Sequence, residues 1–379
     1  MFRLKKVELA RAGKTLHHHK RAEREKIREL LNDQQKEYVN FELCEKHPDS
    51  NVPDIDITMF SSTIKPISRG GEGTVFLLDL PGRLLKINEE LVTVAAKKFE
   101  FSPRNNSAET VADVERRGHA EIVALHKLRH RNIVQMLGRG TLHGEKCLLL
   151  EFCPGSLDAV LKNIRDHKEF LPPTFLVPWI MDIALGLRYV HGKGRCHGDI
   201  KPANILLAHD KNTTFVAKLA DFGLSQAPLL RDGSVSCHRG TARYMTPEQH
   251  NGERIDPMGV QRCDVWAYGI VIWEMITCLE PFAGVEDQII SSIIGAKNEY
   301  SHPALPSQSN LEQIINLLRR CWSSKSIDRQ SFYEISSERL TSVSVDIQNA
   351  FPSKESWYEE CRQWVEAESA RTYRQPTIQ

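Results

Sequence analysis

"HGDIKPANILL", residues 197–207, sets an acid, a lysine and an asparagine within six positions and then runs straight into apolar residues. One charge in such a place reads as solvated surface. The ordered trio Asp199, Lys201 and Asn204, leading into Ile205, Leu206 and Leu207, reads instead as a loop anchored by a buried strand and aimed at a charged ligand. The flanking sequence has to say which ligand.

Downstream, "LADFGLS" (219–225) places Asp221 after an apolar strand pattern and before Phe-Gly. A carboxylate with an amide oxygen, Asp221 with Asn204, makes a hard-oxygen pair suited to Mg²⁺, which keeps few protein ligands alongside phosphates and water. Asp199 then needs no metal role. Beside a substrate hydroxyl it can take or orient the proton, while Lys201 steadies charge on a transferred phosphoryl group. Upstream, "SRGGEGTVF" (68–76) lies between two strand patterns, and Gly70, Gly71 and Gly73 let backbone amides approach phosphate oxygens. Taken singly, this stretch is equally a glycine-rich hairpin turn. A dinucleotide-binding turn is disfavoured, because a strand rather than a helix follows Gly73.

In "VTVAAKKF" (92–99), a strand period of two puts Ala95 and Lys97 on one face and Lys98 on the other. One lysine can thus enter a cleft beside a small residue that leaves room for a flat ring. Its candidate partner is Glu121, beside the helical stripe of Ile122, Leu125 and Leu128, although in isolation Glu121 also reads as an ordinary surface glutamate. Lys86 in "RLLKIN" competes with Lys97 but has Leu84 where a small residue belongs, so Lys97 is retained.

With these pieces assembled, the chain resembles the eukaryotic protein kinases over about residues 61–335. The resemblance rests on the glycine-rich loop at 68–75, "VAAK" ending at Lys97, "HGDIKPAN" at 197–204, "DFG" at 221–223 and "TPE" at 246–248, in the order that family requires. It implies an α+β bilobal protein kinase fold, with a small β-rich N-lobe carrying helix C and a larger α-helical C-lobe. It implies that Lys97 binds the α and β phosphates of ATP and pairs with Glu121, that Asp199 is the catalytic base with Lys201 and Asn204 beside it, and that Asn204 and Asp221 hold Mg²⁺. Val75, Ala95 and Leu206 would sandwich adenine, with Ile67, Gly70, Gly71 and Gly73 completing the ATP-binding roof. "LLLEFCPGSL" looks like the interlobe hinge, with Leu150 as gatekeeper and the backbone of Glu151 and Cys153 facing the adenine edge. Thr241 is expected to contact Asp199 and Lys201, Glu248 to form a buried pair with Arg329, and Asp264 to brace the catalytic loop.

Lys201 and "GTARYMTPE" resemble serine/threonine kinases, and "CW…DRQSF" with "LEFCPGSL" leans toward their tyrosine-kinase-like branch. The implied activity is transfer of the γ-phosphate of ATP to protein serine or threonine hydroxyls in intracellular signalling. The alternatives are a pseudokinase or nucleotide-binding scaffold that signals by binding, and a dual-specificity kinase. Three positions depart from the family pattern. Ser68 stands at the first loop glycine, Thr246 replaces an alanine with little expected consequence, and Gly198 replaces the arginine that gathers an activation-segment phosphate in relatives. Without that cation, activity is expected not to depend on phosphorylation of Ser234 or Ser236.

Composition is compatible with this picture. The 379 residues are 41% hydrophobic and 26% charged, with 50 basic against 49 acidic side chains, so no overall field favours nucleic acid or an anionic membrane as partner. Nine scattered cysteines without a C-x-x-C pair argue for a reducing compartment, and the expected location is cytoplasmic. No signal peptide or membrane span is expected. The domain reading is a basic helical extension and linker at 1–60, whose helix is a candidate partner-docking arm, and a kinase domain at 61–340. Within it the N-lobe covers 61–150 and the C-lobe 154–340. A C-terminal extension at 341–379 is expected to hold one more helix, with Trp357, Tyr358, Cys361, Trp364 and Val365 on a face. The loop from Val75 to Lys97 is longer than the family's usual hairpin. Protein substrate, pathway and oligomeric state are not encoded in any of these motifs.

Overall fold

A computed structural model describes residues 54–370 apart from 71–72, 86, 88–89, 99–110, 210–214, 226–234, 237–239, 299–300, 308, 336–350 and 352. The basic arm at 1–53, Gly71, Lys86 and Ser234 therefore lie outside the described residues, as does the side chain of Ser236.

The first lobe is a six-stranded sheet in the order β1-β5-β6-β4-β3-β2. Its strands are β1 (Asp54–Asp56), β2 (Lys65–Gly70), β3 (Gly73–Pro81), β4 (Leu91–Lys98), β5 (Met136–Leu142) and β6 (Glu145–Glu151). All neighbours are antiparallel except β1, which joins β5 in parallel, with Asp54 opposite Arg139. This strand lies in the segment read as linker. "DIDI" alternates acid and isoleucine, and Ile55 and Ile57 are buried while Asp54 and Asp56 face solvent, so a period of two decides the local structure although Pro53 and the acids signal a break.

The two faces of the sheet separate cleanly. Val94, Ala96, Leu78, Leu80 and Leu149 form one core with Ile55 and Ile57, while Ala95, Leu148, Leu150 and Met136 turn toward helix α1 (Val111–Lys127) and the second lobe. The long β3–β4 connection closes on itself through the Gly82 amide and Glu90 carbonyl, 2.6 Å apart, and sends Leu85 wholly into the outer core. The extra length thus adds packing on the face away from the cleft.

After the short strand β7 (Gly155–Ser156), helices α2 (Leu157–Asp166) and α3 (Pro173–Gly192) begin the second lobe. Ser156 caps α2 by accepting from the Ala159 amide, and Asp158 adds a favourable negative charge to its first turn. The hairpin β8 (Ile205–His209) and β9 (Phe215–Leu219) follows, then β10 (Val235–Ser236), α4 (Pro247–His250), β11 (Arg254–Ile255) and α5 (Pro257–Thr277). Helix α5 starts with Asp256 as cap and Pro257 at its first position, and from Val265 to Ile276 it buries apolar side chains on every side. A helix apolar all round is a core helix, and α5 is the axis on which the lobe is assembled.

Around it lie α6 (Asp287–Gly295), α7 (Glu312–Cys321), α8 (Phe332–Glu334) and α9 (Lys354–Ser369). Helix α9 is the one expected beyond the kinase domain, and Trp357, Cys361 and Trp364 are all buried in the main core. The Trp357 indole donates to the Leu171 carbonyl at 2.9 Å, and the buried Glu360 carboxylate accepts from the Asn310 amide and the Ser309 hydroxyl. No described helix is long and apolar enough to cross a membrane.

Candidate active site

Strand geometry delivers the first half of the site. Val75 on β3 stands opposite Lys97 on β4, and Ala95 stands opposite both Leu77 and, on β6, Leu150. Ala95, Lys97 and Leu150 are each 8% exposed. From this face the Lys97 ammonium reaches two carboxylates, Glu121 of α1 at 2.8 Å and Asp221 at 3.0 Å. Glu121 is therefore buried, 1% exposed, and is not a surface residue. Burial pushes its carboxyl above the ordinary glutamate range, and Lys97 opposes that shift. Asp221 is placed by a left-handed backbone, φ 64°, two residues past the end of β9. Phe222 behind it is fully buried and packs on His197, with ring centroids 4.6 Å apart.

The opening stretch supplies the second half. Ile205 of β8 is fully buried and pairs with Leu219 of β9, so the strand read from the sequence anchors the loop before it. Within the loop, the Asn204 side-chain amide donates to the Asp199 carbonyl at 2.8 Å and to its carboxylate at 3.0 Å. With the amide nitrogen committed, the side-chain oxygen of Asn204 points the other way. The Ala220 amide donates to the Asn204 carbonyl at 2.9 Å, which ties Asn204 to the residue preceding Asp221. Lys201 pairs with Asp199 at 2.6 Å and donates to the Thr241 hydroxyl at 2.8 Å, and the Thr241 amide and hydroxyl both donate to Asp199 at 3.0 Å. The expected contacts of Thr241 with both residues are present.

Asp264 of α5 braces this loop from below. Its carboxylate accepts from the His197 amide at 2.8 Å, the Gly198 amide at 2.9 Å and the His191 ring at 2.8 Å. Burial alone would push its carboxyl above the usual aspartate range, but these donors outweigh burial and hold Asp264 below it. Burial lowers His197, and its ring has the bonding pattern of a neutral imidazole: Nε2–H donates to the Ala220 carbonyl and Nδ1 accepts from the Asp199 amide. Glu248 and Arg329 form a bidentate pair at 2.5 and 2.8 Å with both side chains buried.

Val75, Cys153 and Leu206 are half-buried against the core that holds Ala95 and Leu150, and Ile67 is 44% exposed on β2. Gly73 opens β3 at φ 136°, a conformation that favours glycine.

Four features escaped the sequence reading. Glu151, expected to act through its backbone, buries its side chain, pairs with Lys218 of β9 at 2.9 Å and accepts from the Gln135 amide at 2.8 Å. Gly198 has φ 88°, and a Cβ there would stand 3.0 Å from the Leu224 carbonyl oxygen, so its glycine answers a local backbone demand as well as removing a cation. Thr246, expected to matter little, is fully buried and caps α4, with a reciprocal bond from Gln249. Tyr244 donates to the buried Glu274 of α5 at 2.7 Å. A T-x-x-Q string was the one available signal, for the Thr246 cap.

Comparison with known proteins accords with this geometry. Residues 63–340 match the family model described as protein kinase domain. The chain is 34% identical over 249 residues to the mitogen-activated protein kinase kinase kinase 12 of Rattus norvegicus, an alignment covering 64% of this chain and 26% of that protein. It is 32% identical over 277 residues to the serine/threonine-protein kinase mos of Patiria pectinifera, covering 71% of each, and 30% identical over 236 residues to the serine/threonine-protein kinase STY46 of Arabidopsis thaliana, covering 62% and 38%. The chain thus spans about a quarter to two fifths of the first and last of these relatives and over two thirds of the second. With two lobes, a lysine held between two carboxylates at their junction and an aspartate ringed by Lys201, Asn204 and Thr241, this chain belongs to the protein kinase family, among its serine/threonine members.

Proposed function

We propose that the chain transfers the γ-phosphate of ATP to serine or threonine hydroxyls of other proteins, with Asp199 as the base. The observation that carries this reading is the convergence of Lys97 and Asp221 with Asp199 and Asn204, residues far apart in the chain, at one interlobe junction. Phosphoryl transfer asks a protein mainly for position and charge neutralisation, and the site provides both. Lys97, fixed by Glu121 and Asp221, is a buried cation for the α and β phosphates. The acceptor hydroxyl gives its proton toward the Asp199 carboxylate as its oxygen bonds to the γ-phosphorus and the bond to ADP breaks. Lys201, 2.6 Å from Asp199, faces the phosphoryl in flight.

The Asn204 side-chain oxygen and the Asp221 carboxylate are suited to a hard divalent cation such as Mg²⁺. When bound, that cation neutralises phosphate charge. Val75, Ala95, Leu150 and Leu206 line the place for adenine, with Ile67 and the glycines above it and the backbone of Glu151 and Cys153 along its edge. A cytoplasmic location belongs to the same proposal.

The test is transfer of radiolabelled γ-phosphate from ATP to a pool of serine- and threonine-containing peptides. The wild-type chain is expected to label the pool and Asp199→Asn to lose at least about a hundredfold in rate. No labelling by the wild type, with ATP still bound, would make the chain a nucleotide-binding scaffold.

A further inference from the structure

Arg243 lies in the short turn Ala242–Tyr244, two residues after Thr241, and its side chain crosses to the loop between α5 and α6. There the guanidinium donates to three backbone carbonyls, Pro281 at 2.8 Å, Phe282 at 2.6 Å and Val285 at 3.0 Å. The Glu280 and Asp287 carboxylates stand 3.5 and 3.7 Å away. The loop is shaped for this. Cys278, Phe282 and Gly284 all have positive φ, at 55°, 55° and 77°, and Phe282 is fully buried, so the carbonyls turn inward around one cation.

The residues on either side of Arg243 are pinned as well. Thr241 is bonded twice to Asp199, and Tyr244 is bonded to Glu274. The Thr241 amide and hydroxyl each stand 3.0 Å from the Asp199 carboxylate, so an acceptor chain that brings its hydroxyl to Asp199 runs beside this segment. We propose that Arg243 is a positioning residue for the acceptor: by clamping residues 241–244 to the α5–α6 loop it fixes the shelf on which the substrate polypeptide lies, without touching ATP or the reacting atoms. This rests on the kinase reading above. Neutral carbonyls do not titrate, so the clamp holds across the working pH range. A single ammonium lacks the planar fork that spans three acceptors, which makes lysine a partial substitute.

The experiment is steady-state transfer by the full chain to the peptide pool, varying peptide and ATP separately, for wild type, Arg243→Met, Arg243→Lys and Gly284→Ala. The last variant strains the carbonyl loop at φ 77° without touching Arg243, and no atom lies within 4 Å of its added Cβ. Arg243→Met is expected to raise the apparent peptide KM about tenfold while the ATP KM moves less than about twofold, with Arg243→Lys between the two. Gly284→Ala should shift the peptide KM in the same direction, and the double variant should show less than the product of the two effects. If Arg243→Met fails to fold, Gly284→Ala decides. An unchanged peptide KM in both, or a parallel rise of both KM values, overturns the proposal while leaving the kinase reading intact; a wild type that transfers nothing overturns the kinase reading instead.

Discussion

Replacing Glu274 by glutamine should make the protein more stable, and by an amount that grows with pH. Glu274 sits on α5 with 3% exposure, accepts from the Tyr244 hydroxyl at 2.7 Å and lies 3.5 Å from the half-exposed guanidinium of Arg165. Burial pushes its carboxyl up to about 8 from an ordinary 4.5, with Asp158 and Glu280 adding to the shift and Tyr244 and Arg165 opposing it. The folded state therefore holds the proton more tightly than the unfolded chain. Its stabilising effect is complete below pH 4.5 and is lost as pH rises toward 8. At about 1.4 kcal/mol per pH unit, the loss reaches about 3 kcal/mol at pH 7 and about 5 kcal/mol above pH 8. Glutamine stays neutral throughout and keeps a carbonyl oxygen for Tyr244. Urea unfolding of wild type and Glu274→Gln at half-unit steps from pH 5.5 to 8.5 isolates this group, because the other titrating groups cancel in the difference. The difference should widen steadily in favour of the variant and flatten near pH 8. A constant difference would mean that Glu274 is ionised throughout and that Arg165 outweighs burial.

Three further outcomes follow from the same contacts. Arg329→Met leaves the Glu248 carboxylate buried without its bidentate partner, at a cost of about 3–5 kcal/mol, and the melting temperature should fall by roughly 6–20 °C; adding Glu248→Gln should recover most of it. Gly198→Ala meets φ 88° and the Leu224 carbonyl at 3.0 Å, so it should displace the loop carrying Asp199 and lower kcat about tenfold with the ATP KM nearly unchanged, read by initial-rate kinetics. Alanine at both Ser234 and Ser236 should leave turnover nearly unchanged, since Gly198 offers no cation to a phosphate there; a collapse in the same assay would refute this.

The site was legible where local order and periodicity coincide. A period of two placed Ala95 and Lys97 together and Lys98 apart, and the apolar run after Asn204 predicted the strand that anchors the loop. Glu121 was a candidate beside its helical stripe, but the pairings of Glu248 and Asp264 became visible through resemblance alone, since partners 81 and 66 residues apart leave no local trace. What stayed hidden was of three kinds. Backbone demands such as φ 88° at Gly198 have no signature beyond the residue name. Contacts such as Lys218 with Glu151 and Arg243 with three carbonyls depend on where a loop turns in space, and in the sequence Lys218 and Arg243 read as ordinary surface charges. The strand Asp54–Asp56 shows a third case, a correct local signal overridden by the composition around it.

Helix α9 changes what counts as the smallest autonomous piece of this protein. A stop codon after residue 340, where the family match ends, would strip two tryptophans and a cysteine from the interior of the second lobe and leave the Leu171 carbonyl and the start of α7 without their donors and acceptors. Recombinant fragments trimmed to the homologous region should precipitate, whereas those extended past Ser369 should stay monodisperse.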